Sequence, residues 1–149
     1  MERWRMASGH VVHGETVEVA TEGFSDVVDL SGQVARVVSE SGVDRGQVSI
    51  HAVGSTASVT TIEFEPALVK DMRELLGELV PADRRSRHSE TWGDDNGFSH
   101  MRATLMGPGI TLAVEDGAPV TGTWQQVVVI DHDNRPRHRR VRIQVVGQR

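Results

Sequence analysis

Residues 124–146, WQQVVVIDHDNRPRHRRVRIQVV, decide the fold class of this chain. Their first part, Trp124–Ile130, is an apolar run rich in β-branched residues and predicts a strand. In their last part, 139–146, three apolar residues alternate with polar ones and predict a strand with one buried face; the apolar residues are Val141, Ile143 and Val145. The stretch between them contains Pro136 and predicts a turn.

The same two patterns, alternation and helical spacing, extend outward from this stretch through the rest of the chain. They predict further strands at 15–21, 47–53, 58–64 and 110–114, and helices from an N-cap at Ser31 to Gly42, at 66–80 and at 99–106. Residues 82–96 are polar and contain Gly93 and Asn96, which predicts a loop. Strands outnumber helices and do not alternate with them. This favours an α+β fold with a mixed or antiparallel sheet, two main helices and one short helix.

The helix predicted at 66–80 has an apolar stripe, and Pro66 is compatible with its first turn. The stripe consists of Leu68, Met72, Leu75, Leu76 and Leu79. We expect all five to be buried, each contributing about 2 kcal/mol before conformational entropy is subtracted.

Length and composition predict one domain over 1–149, with 1–14 as a loosely ordered N-terminal extension. The net charge of −5 argues against a nucleic-acid partner. No apolar run has the length of a membrane span, and the first residues lack the apolar segment of a signal peptide. Cysteine is absent, which excludes thiolate chemistry and, with the other features, predicts a cytoplasmic protein without a membrane partner.

The densest group of reactive polar side chains lies between His88 and His100 and includes Asp94 and Asn96. Imidazole titrates near neutral pH and ligates metals, and a neighbouring carboxylate can orient the ring or share the ion. The segment therefore fits a metal site or an acid/base pair. A solvated loop with a helix cap is the competing interpretation, in which Asn96 caps the following helix.

Two hydroxyl residues, Ser55 and Thr56, follow Gly54 between two predicted strands. Backbone N–H groups and hydroxyls in such a segment can hold a phosphate, although a simple hairpin turn has the same composition. Glu63, at the end of the next strand, is either an exposed edge charge or a general base.

The segment 122–126 places Trp124 and Gln125 at the start of an apolar strand. Trp124 is typical of a core residue, whereas Gln125 could contact the amide or ring edge of a ligand. The basic segment 135–140 either binds anions or a partner's carboxylates, or forms a solvated turn and the outer face of the last strand.

Four separated motifs give the chain a family resemblance. They are GSTASVTTIEFEP at 54–66, HSETWGDDNGFSHMRATLMGPG at 88–109, VEDG at 114–117 and GTWQQVVVIDHDNRPRHRR at 122–140. Their order and spacing resemble the YjbQ-like family over nearly the whole chain, from about Glu15 to Gly147. There is one departure: many relatives begin the first motif with a histidine and two threonines, where this chain has Gly54, Ser55 and Thr56. A tyrosine common before His88 is replaced by Arg87.

The resemblance implies a compact α+β fold, a homotrimer and a secondary thiamine-phosphate synthase activity. That reaction joins a hydroxymethylpyrimidine diphosphate to a thiazole phosphate with loss of pyrophosphate. The family's motif positions fall on Glu63, His88, Asp94, Asn96, His100, Trp124 and Gln125.

On this hypothesis the site residues have three kinds of role. Glu63, His88 and His100 are catalytic, and a divalent metal ion is held by Asp94 with His88 or His100. The phosphates and heterocycles of a small phosphorylated substrate are held by Ser55, Thr56, Asn96, Trp124 and Gln125.

Two other hypotheses use the same residues. In one the protein binds a metal or a phosphorylated metabolite without catalysis. In the other the polar loop at 88–100 holds the subunits of the trimer together.

Overall fold

The computed structural model describes residues 9–149. In this part of the chain it contains eight strands and four helices. In chain order these are β1 (His10–Thr21), β2 (Asp26–Asp29), α1 (Ser31–Ser41), β3 (Arg45–Ala52), β4 (Ala57–Glu63), α2 (Pro66–Leu79), α3 (Arg87–Trp92), α4 (Gly97–Met106), β5 (Gly109–Glu115), β6 (Ala118–Pro119), β7 (Gln125–Asp131) and β8 (Arg137–Gln148).

The strands form two antiparallel sheets, which confirms the predicted α+β class. The larger sheet has the order β1-β8-β3-β5-β6, and the smaller one has the order β2-β7-β4. β1 and β8 pair along their full length, with Val17 opposite Val141. β3 and β4 follow each other in the chain but lie in different sheets, so the Gly54–Thr56 segment is a crossover between sheets and no hairpin turn.

The main core lies between the two sheets and α1. The alternation predicted for the last strand is confirmed, since Val141, Ile143 and Val145 are fully buried. α1 adds its apolar face, formed by Val34, Val37 and Val38.

β7 is buried on both of its faces because helices cover the outer side of the small sheet. Val127 and Val129 belong to the main core, whereas Val128 and Ile130 form a second cluster. Val69 of α2 and Met106 of α4 pack against that second cluster. The continuous apolar run that indicated a strand thus reflects burial on two sides.

The stripe predicted on α2 is mostly not buried, so this expectation was wrong. Only Leu76 is buried, whereas Leu75 is 42% exposed and Leu79 is 65% exposed. The helix reaches the second cluster on the small sheet through Val69, and no described element covers Leu75 and Leu79. An uncovered apolar face therefore remains near the end of α2.

The predicted loop at 82–96 contains a helix, α3. The Ser86 hydroxyl caps it by accepting a hydrogen bond from Ser89 N, and Gly93 ends it in the left-handed conformation with φ 69°. A helix of 6 residues has too few positions to show a 3.6-residue period, which explains why the sequence pattern missed it.

Smaller differences lie at the element ends. Residues 10–14, assigned to a loose extension, belong to β1, while residues 1–8 of that extension lie outside the described part of the chain. Ser31 is the first residue of α1, and its hydroxyl accepts from Val127 N at 2.9 Å instead of capping the helix. The short strands β2 and β6 were not predicted.

Within residues 9–149, no helix combines the length and the apolar character needed to cross a membrane.

Candidate functional site

The two histidines predicted to act together lie side by side where α3 meets α4. His88 is in the first turn of α3 and His100 in the first turn of α4. Their ring centroids are 4.5 Å apart with the planes inclined by 48°. Because residues 87–92 form the helix α3 and not a loop, the ring of His88 lies against that of His100.

Close packing at Gly97 fixes the distance between these two helices. A Cβ at this position would lie 2.0 Å from Ser86 Oγ and 2.5 Å from Ser86 Cβ. The Ser86 hydroxyl cannot move away freely because it caps α3. Only glycine therefore allows the start of α4 to approach the start of α3 this closely.

Asp94 is beside the histidine pair. Its Oδ1 lies 3.4 Å from His88 Nδ1, longer than a good hydrogen bond, and its carbonyl accepts from Asn134 Nδ2 at 2.8 Å. The backbone around it turns sharply, with positive φ at Gly93 and at Asp95, where φ is 55°.

Asn96 occupies the N-cap position of α4, but its side chain makes no capping hydrogen bond. In one orientation its amide donates to Asp133 Oδ1 at 3.3 Å. In the flipped orientation it donates to both Asp94 oxygens, at 3.0 and 3.1 Å. The flipped orientation satisfies both ends of the amide, so Asn96 is a hydrogen-bond donor to Asp94.

A cleft of about 600 Å³ opens beside the histidine pair. It is lined by Arg84, Arg85, Ser86, Arg87, His88, Glu90, Gly97, His100 and Met101. Arg85 forms an ion pair with Glu90, which leaves Arg84 and Arg87 as cleft cations without a carboxylate partner among the described residues. The cleft is therefore cationic, and it becomes more so when either imidazole is protonated.

The metal-ligand set predicted from sequence is only partly assembled. Within residues 9–149, no three His, Asp or Glu side chains are arranged around a common point as a metal cage. His88 and Asp94 are neighbours, as are His88 and His100. A divalent ion at Asp94 would therefore have to complete its shell with groups other than three protein side chains.

A buried polar network lies directly behind Asn96, and the sequence analysis missed it. Its centre is the triplet Asp131, His132 and Asp133 at the end of β7, each at most 2% exposed. A run of three ionisable residues that continues an apolar strand, followed by several arginines, was the signal that could have revealed it.

Arg139 neutralises the first aspartate of the triplet. Its Nε lies 2.8 Å from Asp131 Oδ2 and its Nη2 lies 2.7 Å from Asp131 Oδ1, a bidentate pair. Burial by itself raises the pKa of Asp131, but the hydrogen bonds from Arg139 and Thr21 outweigh it and hold the pKa below the usual value. The interpretation of 135–140 as a solvated segment is thus wrong for Arg139, which is 4% exposed.

His132 is held between two buried hydroxyls. Ser25 Oγ lies 2.8 Å from its Nδ1, and Ser58 Oγ lies 3.0 Å from its Nε2. Burial, reinforced by the positive charge of Arg102, lowers the pKa of His132 to about 4. The ring is therefore neutral at physiological pH and serves as a hydrogen-bonding support for the end of β7.

The two hydroxyl residues predicted to bind phosphate differ in accessibility. Thr56 is buried, donates to Asp133 Oδ2 at 3.2 Å and accepts from Arg139 Nη2 at 2.5 Å. Its hydroxyl is therefore already engaged in the network. Ser55 is exposed.

Glu63, Trp124 and Gln125 lie at the opposite end of the small sheet from this network. Glu63 is opposite Gln125, and Ala57 is opposite Asp131, so about 20 Å of strand separates the two ends. Gln125 donates to Thr61 Oγ1 at 3.0 Å. Trp124 is 72% exposed instead of belonging to the core. A single chain thus brings together His88, Asp94, Asn96 and His100, but not Glu63, Trp124 and Gln125.

The matching family model covers most of the chain. Residues 15–148 match the family described as UPF0047 protein YjbQ-like. A UPF0047 protein of Methanothermobacter thermautotrophicus is 31% identical over 137 residues, covering 92% of this chain and 94% of that protein. A UPF0047 protein of Synechocystis is 33% identical over 138 residues, covering 91% and 92%.

Solved structures agree with these matches. A YbjQ-like protein of unknown function from Sulfolobus solfataricus superposes with a TM-score of 0.87 at 28% identity, covering 93% of this chain and 99% of that chain. A hypothetical protein from Aeropyrum pernix superposes with a TM-score of 0.83 at 29% identity, covering 90% and 98%. With the motifs, the two-sheet fold and these likenesses in agreement, the chain belongs to the UPF0047, YjbQ-like family.

Proposed function

We propose that this protein binds a phosphorylated small molecule in the cleft between α3 and α4. The charge of the cleft carries the proposal: three arginines and two histidines line it, against the one carboxylate of Glu90. Guanidinium groups match the geometry of phosphate oxygens and stay charged at every relevant pH. The imidazole rings of His88 and His100 can each donate a hydrogen bond to a phosphate oxygen.

The reaction we propose for this site is the one that the family resemblance implies, a thiamine-phosphate synthase type of transfer. Loss of pyrophosphate from the pyrimidine diphosphate leaves negative charge on the departing group. We propose that Arg84, Arg87 and His100, which line the cleft, would stabilise that charge. The thiazole nitrogen would form the new bond to the methylene carbon as the bond to pyrophosphate breaks, and His88, beside Asp94, is the candidate for donating a proton to the departing pyrophosphate.

A divalent ion at Asp94 is part of the same proposal. Mg²⁺ commonly takes one or two carboxylates and completes its shell with substrate phosphates and water, so it needs no full protein cage. The Asn96 amide lies against the Asp94 carboxylate and can donate to both of its oxygens, at 3.0 and 3.1 Å. Asp94, whose Oδ1 lies 3.4 Å from His88 Nδ1, is the residue that we propose would hold the ion.

Homotrimer assembly is the remaining element of the proposal. The distant group of Glu63, Trp124 and Gln125 can act on a ligand in the cleft only from a second copy of the chain. Phe64 is next to Glu63 in the chain and is 43% exposed, and Trp124 is 72% exposed, as expected of a surface that packs against another subunit.

A non-catalytic binding protein is the alternative, and one observation favours it. Glu63, predicted to be catalytic, lies at the end of the small sheet opposite the network behind Asn96. The cationic cleft would bind a phosphorylated metabolite equally well without turnover.

Binding is tested by calorimetric titration with pyrophosphate, with and without Mg²⁺. We expect saturable binding, weakened at least about tenfold in Arg87→Gln because a charge-assisted phosphate contact is lost. Arg45→Gln, an exposed position on β3 outside the cleft, is the matched control and should bind normally. Absence of binding in the unmodified protein would remove the proposal.

Turnover is tested by a coupled assay with both precursors. Product above the level of a His100→Ala control supports the synthase. Saturable binding without such product supports the binding protein instead.

A further inference from the structure

The cationic cleft continues into an apolar groove. This groove has a volume of about 440 Å³ and is lined by Leu79, Val80, Arg84, His100, Met101, Thr104 and Leu105. Arg84, His100 and Met101 line both spaces. The two therefore form one trough that is charged at one end and apolar at the other.

The apolar end consists of side chains that are unusually open to solvent. Leu79 is 65% exposed and Leu105 is 75% exposed. They come from the end of α2 and from α4, where no described element covers them. A ligand lying on them would remove hydrocarbon surface from water on both sides of the contact.

The groove offers few hydrogen bonds to a ligand. The hydroxyl of Thr104 donates to His100 O at 2.7 Å. Among the other lining side chains, only Arg84 and His100 are polar, and both lie at the junction with the charged cleft. A ring nitrogen or amine placed deep in the groove would lose water without gaining a partner.

We propose that the natural ligand is an amphipathic anion, with a phosphate in the cationic cleft and a hydrocarbon body in the groove. The phosphate end rests on the phosphate binding proposed above. The hydrocarbon body does not fit the pyrimidine and thiazole rings of the synthase reaction, so this inference goes with the non-catalytic binding protein. The body is an aryl or short alkyl group without polar ring atoms. The two connected spaces are of the size that ligand pockets usually have, about 300–1,000 Å³.

Calorimetric titration with 1-naphthyl phosphate and with inorganic phosphate tests this proposal directly. Both probes carry the same head group, so the ratio of their affinities isolates the contribution of the groove. We expect 1-naphthyl phosphate to bind at least about tenfold tighter. In Leu105→Gln and Leu79→Gln this ratio should fall toward one, while the affinity for inorganic phosphate stays unchanged.

Leu75→Gln is the matched control. Leu75 is a partly exposed leucine on the same helix as Leu79 but does not line the groove, so its replacement should leave the ratio as it is. Arg84→Gln, at the junction, should weaken both probes together.

Three outcomes would overturn the proposal. If inorganic phosphate binds and 1-naphthyl phosphate binds no tighter, the hydrocarbon body is wrong while the phosphate site stands. If neither probe binds, the phosphate site falls as well. If Leu105→Gln changes the molar mass in solution and leaves the affinity ratio intact, the groove is a contact between copies of the chain.

Discussion

His132 makes two hydrogen bonds in a buried site, and its ring is neutral in the folded protein. This neutrality makes the stability of the protein depend on pH. The folded protein protonates this ring only near pH 4, whereas an unperturbed histidine takes up its proton near pH 6.5. Between these two values the unfolded chain binds a proton that the folded chain does not. Acid therefore favours unfolding through this residue.

We expect the contribution of His132 to the free energy of unfolding to be constant above about pH 7.5. It should fall by about 2 kcal/mol between pH 7.5 and pH 5. Below pH 4 this contribution stops changing. Urea denaturation of the unmodified protein and of His132→Gln measures it, because the variant should lose that part of the slope. The proton resonances of His132 give a second measurement: a ring that titrates near pH 6.5 in the folded protein would contradict the assignment.

Arg139 is the charge on which the buried aspartates depend. Replacement by glutamine would leave the Asp131 carboxylate without its bidentate partner at 0% exposure. We expect Arg139→Gln to lower the free energy of unfolding by about 3 kcal/mol or more.

The neighbouring Arg140 provides the control for this prediction. It is exposed, and Arg140→Gln should change the free energy of unfolding by less than about 0.5 kcal/mol. Urea denaturation of both variants decides the matter, and equal losses would show that the Asp131 pair contributes little.

At this scale the sequence showed where ionisable residues are concentrated, but not which of them are buried. Alternation along β8 correctly placed Val141, Ile143 and Val145 inside, and by the same alternation Arg139 shares their face. Because arginine is charged, the sequence pattern did not indicate that Arg139 is buried. Its partner Asp131, which makes the burial of Arg139 tolerable, belongs to another strand. A local sequence pattern does not show which strands of the two sheets will lie against each other.

At the scale of the elements, the site depends on how closely α4 approaches α3. We expect Gly97→Ala to lower the stability and to weaken pyrophosphate binding, because the added methyl group would overlap the Ser86 side chain. Gly77, inside α2, has nothing within 4 Å of its virtual Cβ. Gly77→Ala should therefore stabilise the protein by about 0.5–1 kcal/mol through helix propensity alone.

Thermal denaturation and calorimetric titration of the two alanine variants check this pair. An unchanged affinity in Gly97→Ala would mean that the distance between α3 and α4 does not control the site.

Most long elements could be predicted from sequence, since each has enough residues to show its period. The short ones could not: β2 has 4 residues and β6 has 2. α2 shows the opposite error, because its periodicity correctly predicted a helix but not how much of the stripe another element would cover. Coverage depends on how the elements pack, which is a property of the whole fold.

At the scale of the whole molecule, the oligomeric state is the property to measure. If Trp124 is a subunit contact, the molar mass from light scattering should be about three times the 16.3 kDa of the chain, and Trp124→Ser should lower it. A buried tryptophan is a frequent centre of binding energy in interfaces.

Trp92→Ser is a closely matched control, because Trp92 on α3 is also 72% exposed. Loss of assembly in Trp92→Ser but not in Trp124→Ser would favour the hypothesis in which the polar loop at 88–100 joins the subunits.

The pairing of β1 with β8 also determines when the chain can fold during its synthesis. Thr21 pairs with Arg137, which lies 116 positions later in the chain. During synthesis β1 therefore leaves the ribosome long before β8, the strand with which it pairs. A fold dominated by such distant contacts has a high contact order, which predicts folding in milliseconds to seconds instead of microseconds. Until β8 emerges, the edges of β1 and β3 stay open to other nascent strands. Chaperones that shield strand edges should therefore matter most to this protein while it is still being translated.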